Sequence, residues 1–152
     1  EEKKHFFNIH FHELELMPKE GIGYEQATAK IEEEFDKKNK NANIPDYIVK
    51  TKRYGLFRVD YVDGRIIRKY IDPKFIQGCH EVSGKESLRR LQDRKIWIDI
   101  RQEPKEYSYT LIHEYIEANL MLTGMDFNDA HDYALAVEKG VRRKDGAKYP
   151  RD

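Results

Sequence analysis

The chain has 152 residues, which is enough for one domain with a buried core and too few for two independent domains. Its 28 Lys and Arg residues balance 28 Asp and Glu residues, so no overall charge favours DNA or an anionic membrane. A single cysteine excludes an internal disulfide and a cysteine-rich zinc site, and no apolar run approaches the roughly 20 residues that span a bilayer. We therefore expect a soluble, cytoplasmic protein without a membrane segment. The start at Glu1 rather than at methionine is also consistent with a segment of a longer protein.

The N-terminal part predicts one strand and one helix. Apolar and polar residues alternate along residues 6–12, which is the period of a half-buried strand. From Tyr24 to about Lys40 the apolar residues recur at helical spacing, and the other positions are mostly charged. This pattern predicts an amphipathic helix.

The middle of the chain predicts a sheet. Runs rich in β-branched and aromatic residues predict strands at residues 47–54, 56–62, 65–71, 74–79 and 95–101. Asp63 and Gly64 separate two of these runs, and this dipeptide is typical of a tight hairpin between antiparallel strands. A short helix is expected at residues 85–93, before the last strand.

The C-terminal part predicts two helices. Pro104 suits the first turn of a helix that runs to about Thr123, and Gly124 suits the position just past its end. A second helix can begin at Asp126, whose carboxylate can cap it, and run to about Arg143.

These elements together predict an α+β fold in a single domain over residues 1–152. Its parts are an N-terminal strand and helix portion, a mixed or antiparallel sheet, two packed C-terminal helices and a frayed tail, at residues 1–45, 46–101, 102–143 and 144–152.

The first C-terminal helix carries three ionisable residues among apolar neighbours. Residues four apart stand about 5–6 Å apart at Cβ on one face, so His113 and Glu117 can direct their side chains at one point. Nearly all other positions of this helix are apolar, which makes a solvated charged face a poor explanation. Glu114 lies about 100° round the helix, beside the pair. The spacing suits two ligands of one ion, with Glu114 placed to contact a water on that ion.

The second C-terminal helix repeats this pattern. His131 and Glu138 are seven residues apart, so they face the same way, and a short connection makes the two helices neighbours. Two imidazoles and one carboxylate form a common catalytic zinc set with a fourth position left for water. The sequence therefore nominates His113, Glu117 and His131 as ligands of one zinc ion.

The segment HEYIE at residues 113–117 resembles a variant of the H-E-x-x-H signature of zincin metallopeptidases, with Glu117 in the last position. A closer resemblance is to small bacterial and phage proteins of zincin-like type, which combine IWID, HE..E, LM..GM and AH..A...E in this order. The matching segments here are residues 96–99, 113–117, 120–125 and 130–138, within a region of about 75–142.

The resemblance implies a zinc-dependent metallopeptidase that acts on a peptide or protein substrate. In that family His113 would bind zinc, Glu114 would act as general base on a zinc-activated water, and Glu117 would replace the usual second His. The strand at residues 96–99 would run beside an extended peptide substrate. Glu138 would serve as an alternative ligand or would hold His131 through its other ring nitrogen.

The same residues also fit functions that need no metal ion. His113 and Glu117 can form a buried, ion-free hydrogen-bonded pair in a non-catalytic adaptor or nucleic-acid-binding domain. His80 follows a predicted strand and is either a catalytic group at the substrate oxyanion or a surface imidazole. Seven Lys or Arg residues between Lys50 and Lys69 are interleaved with aromatic residues, as in a surface for single-stranded nucleic acid, although a solvated sheet face explains them too.

Overall fold

The computed structural model describes residues 23–76 and 85–149. Its elements are α1 (Tyr24–Asn39), β1 (Ile48–Tyr54), β2 (Phe57–Val62), α2 (Gly64–Tyr70), α3 (Lys85–Gln92), β3 (Lys95–Asp99), a 3₁₀ turn (Pro104–Glu106), α4 (Tyr107–Leu122) and α5 (Phe127–Asp145). The predicted α+β class is confirmed, with two packed C-terminal helices. The predicted strand at residues 6–12 and the residues from 77 to 84, which include His80, lie outside the described part.

The strands form a mixed sheet in the order β1-β2-β3. Strands β1 and β2 are antiparallel and joined by a tight turn at Gly55, whose φ of 58° lies in the left-handed region. Strand β3 runs parallel to β2, with Val59 opposite Ile96 and Tyr61 opposite Ile98. The predicted strands at residues 47–54, 56–62 and 95–101 are therefore confirmed with slightly shorter bounds.

Successive side chains along β2 and β3 point to opposite faces of the sheet, so the core is divided between the two faces. One face packs against α4 through the buried side chains of Phe57, Val59, Leu91, Ile96, Ile98 and Ala118. The other face packs against α2 and the segment after it through Val62, Ile67, Phe75 and Trp97. Helix α4 contacts β3 on one side and α5 on the other, so it forms the middle layer beside the sheet.

The prediction of a strand at residues 65–71 was wrong, because this segment is the helix α2. Asp63 accepts a hydrogen bond from the Arg65 backbone N–H at 3.0 Å and caps the helix instead of turning a hairpin. Gly64 donates its backbone N–H to Asp99 Oδ1 at 3.0 Å, and an added Cβ at this position would lie 2.0 Å from the same carboxylate. Asp99 is fully buried, so the end of β3 anchors the start of α2.

The predicted strand at residues 74–79 is also wrong for its described part. Residues 74–76 form no strand, because a turn after Asp72 has already begun there. The Asp72 carbonyl accepts a hydrogen bond from the Phe75 N–H at 3.2 Å, and its side chain accepts one from the Lys74 N–H at 3.0 Å.

The ends of α4 and α5 agree closely with the signals in the sequence. Gly124 follows α4 with a φ of 103°, and Asp126 caps α5 by accepting the Asp129 N–H at 2.9 Å. Helix α5 ends at Asp145, two residues beyond the expected position, and Gly146 adopts a left-handed φ of 69°. No helix in the described part of the chain has both the length and the apolar composition needed to cross a membrane.

Candidate metal centre between α4 and α5

Helices α4 and α5 run antiparallel, and ionisable side chains from both fill the seam between them. His113 of α4 lies opposite Glu138, and Glu117 lies opposite His131. The connection between the helices is only four residues long, so the chain reverses tightly and brings the two faces together. The prediction that the two helices are neighbours is confirmed.

Three candidate ligand atoms form a small triangle at this seam. Glu117 Oε2 lies 3.1 Å from His113 Nε2 and 2.8 Å from His131 Nδ1, and the two nitrogen atoms are 3.1 Å apart. Two of these side chains, His113 and Glu117, are buried, and His131 is partly exposed. The structure therefore brings together the three residues that the sequence nominated as ligands, and this group can hold a metal ion.

The size of the triangle suits a small transition-metal ion. Its corners lie roughly 1.7 Å from its centre, so an ion at the ~2.0–2.1 Å distance of a zinc–nitrogen bond can contact all three atoms from about 1 Å above their plane. Such a position leaves the outer side of the ion free of these ligands. A calcium ion takes six to eight oxygen ligands at ~2.3–2.6 Å, which this set does not provide.

One carboxylate oxygen at the site has no hydrogen-bond partner among the residues that the structure describes. Glu117 is 1% exposed, and its Oε1 atom is buried without a partner. An unsatisfied buried carboxylate oxygen is costly, and most buried polar atoms find a partner. His113 Nε2 and His131 Nδ1 lie 3.1 Å apart beside this carboxylate, so a proton on one of them or a cation between them is needed to keep two lone pairs from facing each other. A bound cation would satisfy both requirements.

Glu138 supports His113 from the side opposite to Glu117. Its Oε1 atom lies 3.0 Å from His113 Nδ1, which leaves His113 Nε2 directed into the triangle. The expected contact of Glu138 with His131 was wrong, because the antiparallel register places Glu138 beside the histidine of α4. Glu138 thus holds a candidate ligand rather than serving as one.

Arg142 fixes Glu138 in turn and was not recognised from the sequence as part of the site. Its Nε donates to Glu138 Oε2 at 3.0 Å, another guanidinium nitrogen donates to Glu106, and a third donates to the Lys148 carbonyl at 3.1 Å. Its side chain is buried, with 5% exposed. The four-residue spacing from Glu138 is the signal that points to this pair.

These contacts shift the pKa of each ionisable partner. Burial lowers the pKa of His113, but hydrogen bonds with Glu117 and Glu138 outweigh burial and raise that pKa above its usual value. Burial raises the pKa of Glu117 and Glu138, whereas the hydrogen bonds and charges of their partners hold both pKa values below the usual range. The carboxylates of Glu117 and Glu138 are therefore ionised at neutral pH and favour a positive charge beside them, either a proton on His113 or a metal ion.

The exposed side of the site is formed by His131. Its side chain is 42% exposed, and its ring stacks on Phe127 with 5.5 Å between the ring centroids. His113 and Glu117 are buried behind it, so an ion or substrate reaches the triangle from the side of His131. Phe127 restricts the orientation of this imidazole and was also not identified from the sequence.

Glu114, the expected general base, is buried beside the triangle. Its negative charge contributes to the raised pKa of His113, and its carboxylate is not one of the three candidate ligand atoms. His80, the other expected catalytic residue, lies outside the described residues.

The basic stretch from Lys50 to Lys69 does not form one surface. Lys50 and Lys52 lie above Tyr61 on the face of the sheet that packs against α4. Arg68 is buried on the other face, where it donates to Asp99 Oδ2 at 3.2 Å. The part on β1 is a candidate site for an anionic ligand.

The fold and this site define an α+β protein with a candidate metal centre between two antiparallel helices. Comparisons with family models, curated proteins and solved structures found no match to this chain. A functional proposal therefore depends on the chemistry of the site itself.

Proposed function

We propose that this protein is a zinc-dependent hydrolase of zincin-like type that cleaves peptide bonds. The observation that carries the proposal is the triangle formed by His113 Nε2, Glu117 Oε2 and His131 Nδ1, with an unpartnered Glu117 oxygen beside it. An ion-free core would be expected to satisfy that oxygen with a donor from the protein.

The donor set favours zinc over other common ions. Two imidazoles and one carboxylate make up the protein ligands of many catalytic zinc sites, which keep a fourth position open. Magnesium and calcium prefer ligand sets composed of oxygen atoms. Zinc fits because the triangle contains two nitrogens and because His131 leaves one side accessible.

The surroundings of His113 are those of a metal-binding histidine. Histidine ligands commonly contact a carboxylate through the ring nitrogen that does not bind the metal, and Glu138 makes this contact here. Arg142 holds that carboxylate in place and pairs with Glu106 through another nitrogen, so the direction of His113 Nε2 does not depend on a bound ion.

The proposed chemistry is peptide hydrolysis. When bound, zinc would supply a water of lowered pKa and would polarise the substrate carbonyl. Glu114 would accept the proton from this water and transfer it to the leaving amine, a role supported by its burial beside His113. His131 and Phe127 would border the entrance through which the peptide approaches.

Metal content and turnover of matched variants test the proposal. Protein purified without a histidine tag should contain close to one zinc per chain, and His113→Ala and Glu117→Ala should lose it. Glu114→Gln should keep its zinc and lose cleavage of a fluorogenic peptide library by a factor of about 10² or more.

Leu88→Ala serves as the control, because Leu88 is exposed on α3 and distant in sequence from both helices of the site. It should keep both zinc and activity. Wild-type protein that binds no zinc when offered an excess, or His113→Ala protein that keeps a full complement, would contradict the metal assignment. Full cleavage by Glu114→Gln would contradict the role of Glu114.

A further inference from the structure

A groove on the opposite side of α4 from the metal centre is not used by the proposed hydrolysis. Its volume is about 690 Å³, which lies in the range of ligand pockets. Strands β1 and β2 form its floor, and the 3₁₀ turn and the first residues of α4 form its wall. Leu111 faces this groove and the sheet, whereas His113 faces α5, so the two sites are separated by the helix.

Two lysines of β1 meet above one tyrosine in this groove. The Nζ atoms of Lys50 and Lys52 lie 5.7 and 5.8 Å from the centre of the Tyr61 ring. The close approach of the Lys52 side chain, which carries the same positive charge, lowers the pKa of Lys50. Among the described residues that line the groove none is acidic, so the ammonium pair favours an anionic ligand.

The carboxylate next to Tyr61 in the sequence points away from this pair. Asp60 lies on the other face of the sheet, where it accepts hydrogen bonds from Thr51 at 2.7 Å and from Arg58 at 2.9 Å. A third lysine at the groove, Lys105, pairs with Glu103 beside it. Lys50 and Lys52 therefore supply the uncompensated charge.

Two tyrosine rings stand beside the lysines in fixed positions. The rings of Tyr61 and Tyr107 have their centres 5.7 Å apart and are tilted by 60°. Tyr107 donates its hydroxyl hydrogen to the Ile100 carbonyl at 3.0 Å, which holds its ring against the wall of the groove. Aromatic rings held next to cations are the combination that binds unpaired bases and their phosphates.

We propose that this groove binds single-stranded nucleic acid, with a phosphate between Lys50 and Lys52 and a base against Tyr61 and Tyr107. The aromatic wall is the reason for choosing a nucleic acid over an acidic peptide, because a carboxylate chain gains nothing from stacking. The groove is independent of the metal centre, so either site can fail without the other.

Binding of a fluorescent 15-nucleotide single strand, followed by anisotropy with the full chain, tests the proposal. Lys50→Gln/Lys52→Gln should weaken binding about tenfold and reduce the slope of log Kd against log salt by about 0.7, since the two lysines share one phosphate and each phosphate contact on a single strand contributes about 0.7. Tyr61→Leu should weaken binding about tenfold, and Tyr61→Phe should restore it.

Arg65→Gln/Lys69→Gln is the matched control, because it removes the same charge from α2 on the other face of the sheet. It should bind as the wild type does. Equal losses in both double variants, or no binding by the wild type, would overturn the proposal. If polyglutamate of equal charge displaces the labelled strand at the same concentration as unlabelled strand does, the groove binds polyanions in general. That result would overturn the choice of a nucleic acid.

Discussion

Replacement of Glu138 by Gln tests whether the seam between α4 and α5 is built to direct a metal ligand. Gln keeps the size of the side chain but removes the charge that faces His113 Nδ1 and Arg142 Nε, each at 3.0 Å. Changes in carboxylates that support metal-binding histidines reduce metal affinity about 10–100-fold. We expect a loss in this range, which corresponds to about 1.4–2.7 kcal/mol of zinc binding free energy.

The assay is a zinc titration in competition with a chromophoric chelator, and Glu106→Gln is the matched control. Glu106 also pairs with Arg142 but makes no contact with His113. Glu106→Gln should therefore change zinc affinity by less than about threefold, while both variants lose one partner of the guanidinium. Equal losses in the two variants, or full affinity in Glu138→Gln, would refute the role given to Glu138.

Three further predictions concern stability. Zinc at about a thousand times its Kd should stabilise the fold by about 4 kcal/mol, and this should raise the Tm by about 8–16 °C in a calorimetric scan, whereas His131→Ala should show a much smaller rise. Gly64→Ala should cost about 1–3 kcal/mol or more in urea unfolding, because its Cβ would lie 2.0 Å from the buried Asp99 carboxylate. Gly140→Ala on α5, where an added Cβ meets nothing within 4 Å, should be neutral or slightly stabilising; equal costs at the two glycines would show that the close approach of Asp99 is unimportant. Asp126→Ala should cost about 1 kcal/mol by removing the cap of α5, and Asp126→Asn should recover most of it in the same measurement.

Local signals in the sequence were sufficient for most elements and insufficient for α2. The helical stripe of α1 and the capping residues of α5 describe backbone states that depend on near neighbours. Residues 64–70 carry β-branched residues after an Asp-Gly pair, which favours a hairpin locally. Asp99, 35 residues away, decides in favour of a helix by binding the Gly64 N–H. A contact at that sequence separation is not visible in a local pattern.

The candidate ligands could be predicted, but the partner of Glu138 could not be predicted from helical spacing alone. Spacing identifies which residues share a face of one helix, and it does not say which residue of the next helix lies opposite. In an antiparallel pair, residues at equal distances from the connection meet. His113 is twelve residues before Met125 and Glu138 is thirteen after it, so the short connection predicts their contact. The four-residue spacing of Glu138 and Arg142 would then have added the arginine.

The charge balance along the seam gives a second, independent reason to expect a divalent cation. Within the ion pairs of the seam, the carboxylates of Glu106, Glu138 and Glu117 face the single guanidinium of Arg142, which leaves two negative charges when both histidines are neutral, without counting Glu114 beside them. One proton on His113 removes half of this excess, and the second imidazole is more exposed and better solvated. A divalent ion at the triangle removes all of it, and it does so at the position where Glu117 Oε1 lacks a partner. Hydrogen bonding and charge therefore both favour a cation at the same place, although they depend on different atoms.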